Sequence, residues 1–188
     1  MTEAALEQTE YGLVPKGDGW FVVGARDARW LERPGRGLRC GFEGEPAFPQ
    51  IGVGLYVLEP GEPIGVYHWE ADQEDFLVLA GAALLIVEGE ERALARWDFV
   101  HCPAGANHII IGAGDSPCVV LAVGARENSR RGDWGGYRVD RTALRHGVGV
   151  ERETSDVDEA YARFRAPRPT RYRDGSLPGG GCVRNTSA

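Results

Sequence analysis

No apolar run in these 188 residues is long enough to cross a bilayer. Stretches such as CVVLAVGA (118–125) fall far short of the roughly 20 residues a spanning helix needs. The N-terminal MTEAALEQTEYG is acidic and lacks the apolar core of a secretory leader, so a cytoplasmic protein with no membrane partner is expected. There is no CxxC pair. Cys40, Cys102, Cys118 and Cys182 are scattered, which favours free thiols over a disulfide framework. Nor is there a basic stripe interleaved with aromatics. With a net charge of −7 and a pI near 5.2 the chain repels phosphate backbones, which argues against nucleic acid as a partner. No repeat of the length seen in solenoids or propellers is present, and no helix-turn-helix pattern offers a regulatory output.

The composition that remains is globular, with 43% hydrophobic and 26% charged residues. Glycine is abundant at 27 residues, mostly between short apolar runs, which points to a turn-rich β protein. Three sections follow along the chain. Residues 1–48 read as an N-terminal arm, with a strand at GWFVVG (19–24), a short helix near ARDARWLE (25–32) and a strand at GLRCGFE (37–43). Residues 49–125 carry the densest β signal: IGVGLYVL (51–58), VYHWE (66–70), EDFLVLAG (74–81), a hairpin within ALLIVEGEERALAR (83–96), WDFVHCP (97–103), HIIIG (108–112) and CVVLAVG (118–124). Short strands separated by Gly and Pro turns, with almost no helix between them, predict an antiparallel sandwich or barrel. Residues 126–188 form an extension with helical patches at 140–146 and 157–164 and an irregular end rich in Pro, Gly and Arg. The arginines gathered there hold an anion, solvate the tail or pair with acids elsewhere.

Chemistry concentrates in the middle section, where three of the four histidines lie. Strand side chains alternate, so His68 and Glu70 share one face and Tyr67 and Trp69 the other. Glu74 opens the next strand beside them. Inward-facing acids need a cation or a proton, and a divalent metal with nitrogen and oxygen ligands is the simplest such cation. Asp72 reads as a solvated turn residue. His101 and Cys102 face opposite ways, so only one of them can reach the interior. A buried cysteine there is more commonly a small hydrophobe than a nucleophile.

Two motifs sharpen this. HWEADQEDFLVLAG supplies His68, Glu74 and Gly81, and WDFVHCPAGANH supplies Pro103, Gly105 and His108. In this spacing the segment 50–124 resembles a cupin, whose motifs run G-x5-H-x-H-x3,4-E-x6-G and G-x5-P-x-G-x2-H-x3-N. The resemblance implies an all-β antiparallel jelly-roll barrel over residues 49–125, with the N-terminal strands adding to the barrel or to a homodimer. It also implies one divalent metal ion (Zn, Fe, Mn or Ni) held by His68, Glu74 and His108, with a small-molecule ligand in the barrel. Glu70 replaces the family's second histidine. As a fourth ligand it would neutralise the dication and weaken its Lewis acidity. Unbound, it would be a general base beside the metal or the salt-bridge partner of an arginine. Trp97 and Gly112 stand where the second motif begins with Gly and ends with Asn. The function expected is a metal-dependent enzyme acting on a small polar metabolite, or else a non-catalytic small-ligand or sugar-binding protein.

Overall fold

The computed structural model of the protein describes residues 1–179. Cys182 lies outside the described residues; of the irregular end expected over 166–188, residues 166–179 are described and include a short strand at Arg168–Thr170. The strands are β1 (Ala5–Thr9), β2 (Gly12–Lys16), β3 (Trp30–Glu32), β4 (Leu38–Gly41), β5 (Ile51–Leu58), β6 (Trp69–Glu70), β7 (Glu74–Ala80), β8 (Ala82–Val87), β9 (Glu90–Leu94), β10 (Phe99–Cys102), β11 (His108–Ala113), β12 (Cys118–Ala125), β13 (Gly135–Gly136) and β14 (Arg168–Thr170). Two short helices, α1 (Arg141–Arg145) and α2 (Val157–Tyr161), lie between β13 and β14.

Every pairing between these strands is antiparallel. A seven-stranded sheet runs β10-β7-β12-β5-β4-β3-β14, and a three-stranded one runs β11-β8-β9. Their inner faces enclose the main core, in which Phe76 and Val78 of β7, Ile86 of β8, Ile110 of β11 and Val120 of β12 are almost wholly buried. Residues of the opposite parity, such as Leu55, Val57 and Val119, pack under Trp30 and Cys40 on the outer face of the large sheet. That sheet is therefore buried on both sides, which is why β5 and β12 read as unbroken apolar runs. The arrangement fits a jelly roll. No helix among the described residues is long and apolar enough to cross a membrane.

The motif glycines have physical causes. Gly81, at the β7–β8 turn, has φ +71° and sits so close to the Pro117 carbonyl that a Cβ would lie 2.5 Å from its oxygen. At Gly112 a Cβ would lie 2.4 Å from the Glu59 carbonyl oxygen, so the asparagine of the family motif has no room here. Trp97 adopts φ +79°, a left-handed conformation at the position where the motif carries glycine, and its ring is exposed under the Arg96 guanidinium.

The N-terminal arm departs from its expected form. GWFVVG is no strand, because only Trp20 finds a backbone partner, at Glu3 and Ala4. The helix expected at 25–32 is a single turn closed by Ala28 N–H donating to the Gly24 carbonyl. The chain then extends into β3 so that Trp30, fully buried, can pair with Cys40. A hairpin of β1 and β2 and the short β14, neither expected, complete the arm and the sheet edge.

Candidate metal centre

Alternation along β7 places Glu74 on the same inward face as Phe76 and Val78, at the end of the strand where the core gives way to a cavity. His108 opens β11 and is buried, with its ring 5.5 Å from that of Phe76. His68 lies one residue before β6, not within a longer strand as expected. An isolated bridge sets it opposite His108: His68 N–H donates to the His108 carbonyl (3.2 Å), and His108 N–H donates to the His68 carbonyl (2.8 Å). Directly opposed residues carry adjacent side chains, and the two imidazole centroids are 4.9 Å apart.

Both rings are held the same way. His68 Nδ1 lies 2.7 Å from the Val66 carbonyl and His108 Nδ1 lies 3.0 Å from the Ala106 carbonyl. A carbonyl only accepts, so each Nδ1 carries the proton and each Nε2 lone pair is free to bind an ion, the usual arrangement behind a metal-bound imidazole. Nε2 of His108 is 3.1 Å and that of His68 3.9 Å from Glu74 Oε2. Lone pairs facing a carboxylate at these distances require a shared cation or proton. Ligand atoms of His68, Glu74 and His108 all lie within 4.8 Å of one another, so the donor set suits a divalent ion. Glu70 stands beside this set, its Oε1 3.4 Å from His68 Nε2.

In the metal-free protein, burial works against a charged His108, but Cys102 and the Glu74 carboxylate outweigh it and raise the imidazole to about 10. A folded-state value above the ordinary 6.5 adds stability that is complete below that pH and is lost as pH rises through about 10. Metal binding needs the nitrogen neutral and so has the opposite sense. Denaturant midpoints of chelator-stripped protein are expected to fall between pH 6.5 and 10, while those of metal-loaded protein hold or rise over the same range.

The other candidates separate cleanly. Cys102 faces inward, buried and opposite Glu74 in the register of β10 and β7. His101 points outward, half-exposed, with Nδ1 2.6 Å from Asp75 Oδ1. Asp72 is not the solvated turn residue expected. It is buried and accepts from the backbone N–H groups of Asn128 and Ser129, each at 3.0 Å. Desolvation alone would raise its pKa, but these donors more than offset it and hold the carboxyl below its usual range. This clamp ties the β6–β7 turn to the segment that carries Trp134 and Tyr137.

Those aromatics went unnoticed in the sequence. A cavity of about 620 Å³ opens over His68 and Glu70, walled by Trp134, Tyr137, Tyr161 and Phe164 from the C-terminal extension. A smaller one of about 230 Å³ lies on the other side of Glu70, beneath Glu74, where Gly52, Gly54 and Gly124 leave space on β5 and β12. The available signal was two aromatic pairs, Trp134/Tyr137 and Tyr161/Phe164, each three residues apart in an otherwise polar stretch.

Comparison with known families now bears on the site. The family described as Cupin domain matches residues 54–124. This stretch is a cupin domain. No curated protein matches the sequence. Among solved structures, a sugar phosphate isomerase of the cupin superfamily from Silicibacter pomeroyi is 28% identical, over 54% of this chain and 62% of its own, with a TM-score of 0.43. This chain therefore spans less than two thirds of that relative's length. A Thermus thermophilus protein is 32% identical over 43% of this chain and 78% of its own, with a TM-score of 0.39. A Cupin 2 conserved barrel domain protein from Salinispora arenicola is 23% identical, over 46% and 72%, with a TM-score of 0.41.

Proposed function

We propose that this cupin is a metal-dependent enzyme acting on a small polar metabolite. In this reading His68, Glu74 and His108 hold one divalent ion, and the substrate occupies the cavity over His68 and Glu70. The observation that carries it is the convergence of two Nε2 lone pairs and a carboxylate oxygen within 4.8 Å, with both Nδ1 atoms tied to backbone carbonyls. When bound, such an ion supplies Lewis-acid polarisation of a substrate oxygen. Glu70 accepts a proton from the metabolite and returns it, standing on the wall that both cavities share. Burial pushes the Tyr137 phenol up, helped by its neighbour Tyr161, so it remains a neutral wall next to His68.

A second reading is favoured by Glu70 itself, which stands where the family has a histidine: a ligand-binding cupin without turnover. Fold alone does not choose a reaction. Elemental analysis of protein purified without chelator is expected to give about one metal per chain, since the donor set forms a single centre. Absence of metal, with no uptake on titration, would overturn the reading. A thermal-shift screen of small metabolites, sugar phosphates included, with Fe(II), Mn(II) and Zn(II) then separates the two functions. Stabilisation by metal without turnover of any hit favours binding over catalysis.

A further inference from the structure

Arg36 lies in the turn between β3 and β4 and is 7% exposed. Its guanidinium is charged at any physiological pH, and a buried cation is costly unless oxygen atoms surround it. Neighbouring Arg33, buried to the same degree, is answered at both Nη atoms, though its Nε too lacks a partner: Nη1 donates to the Ile64 carbonyl (2.8 Å) and Nη2 to the Arg36 carbonyl (2.6 Å). Arg126, likewise, pairs with Glu43 at 2.7 Å. Arg36 has no such partner. Its Nε is buried without a hydrogen bond, and among the described residues no oxygen accepts from its guanidinium. What it has is aromatic: the guanidinium sits 4.5 Å from the Tyr161 centroid and 5.1 Å from that of Phe164. The rings fix its plane but bring no negative charge.

This group lines the same cavity as His68 and Glu70. The carboxylates there do not answer it. Glu70 faces His68, with Oε1 3.4 Å from Nε2, and Asp158 is exposed on α2; neither accepts a hydrogen bond from Arg36. Arg39 of β4 repeats the pattern in the smaller cavity, lining it with Glu70 and Glu74 while its Nε too is buried without a partner. Two unanswered guanidinium groups thus flank Glu70, one in each cavity.

We propose that the substrate is an anion, a carboxylate or a phosphate ester, and that Arg36 binds its charged group in the cavity over His68. A planar guanidinium edge donates two parallel hydrogen bonds to either group. The proposal rests on the metal-dependent reading for what happens at the far end of the substrate, but the anion site itself does not need the metal.

Calorimetric titration of metal-loaded protein with orthophosphate, malonate and uncharged glucose tests it. One anion is expected to bind and glucose not to. Preference for orthophosphate assigns a phosphate ester, and preference for malonate a carboxylate. Arg36→Gln is expected to weaken that anion at least about tenfold with metal content unchanged, Arg36→Lys to recover part of the loss, and His108→Ala to retain the anion without metal. Failure of both anions to bind, equal binding of glucose, or an unchanged affinity in Arg36→Gln would overturn the proposal. Wild type that takes up no metal on titration, yet still binds the anion through Arg36, would overturn the metal reading and leave this one standing. Should Arg36→Gln not fold, a crystal structure of the wild type with the bound anion decides: oxygens within about 3 Å of the guanidinium support the site, and an anion seated elsewhere refutes it.

Discussion

His108→Ala protein is expected to purify without metal and to take none up on titration. The substitution removes one of only two nitrogen donors from a set whose three ligand atoms lie within 4.8 Å. His101 is not placed to replace it, because it faces outward and is held by Asp75. His101→Ala is accordingly the control, with full metal content expected. The His108 imidazole is 1% exposed and packs on Phe76, so its loss also opens a void and strips the Glu74 carboxylate of its partner. Together these are expected to cost about 2–4 kcal/mol of stability in the metal-free protein, measured as a lower denaturant midpoint. Normal metal content in folded His108→Ala would refute the ligand assignment. Loss of metal alone, with His101→Ala intact, leaves it standing.

The positions of the candidate ligands were legible in the sequence because the spacing is geometric. His68 must reach the strand opposite His108, and Glu74 must open the next strand with its side chain inward. Glycine or proline turns at Gly81, Pro103 and Gly105 hold those elements in register. β5 was legible to the residue as IGVGLYVL, and β12 within a residue, since a strand buried on both faces has no polar alternation to blur its ends. Where burial is supplied by distant residues, the reading failed. GWFVVG has the composition of a strand but finds no partner beyond Trp20, so propensity had nothing to pair with. ARDARWLE looks helical, yet placing Trp30 in the sheet outweighs the propensity of its neighbours. The cavity walls were hidden for the same reason. Tyr137 and Tyr161 come from the extension, far along the chain from His68, and only the antiparallel pairing of β13 with β6 and the packing of α2 bring them near. Asp72 was misread because turn preference says nothing about what folds over the turn.

Glu70→Gln is expected to keep metal and lose turnover, by at least about a hundredfold, the scale on which a positioned general base acts. Glutamine preserves the size of the side chain and its contact with His68, while removing the group that takes a proton. The alternative role predicts a different pattern. If Glu70 were a ligand, the neutral amide would bind the ion less well, and metal affinity would fall along with activity. The geometry favours the first outcome, because the three mutually close donor atoms come from His68, Glu74 and His108, with Glu70 Oε1 held to one of them at 3.4 Å. Glu70 also faces both cavities, which is where a base must stand to meet a substrate. Measuring the metal dissociation constant and kcat of the same preparation, on whichever metabolite the screen returns, separates the two. Glu70→His then provides the converse test. It restores the family's four-ligand set and is expected to tighten metal binding without restoring the lost base, so a variant with more metal and no more activity than Glu70→Gln is the signature of proton transfer at residue 70.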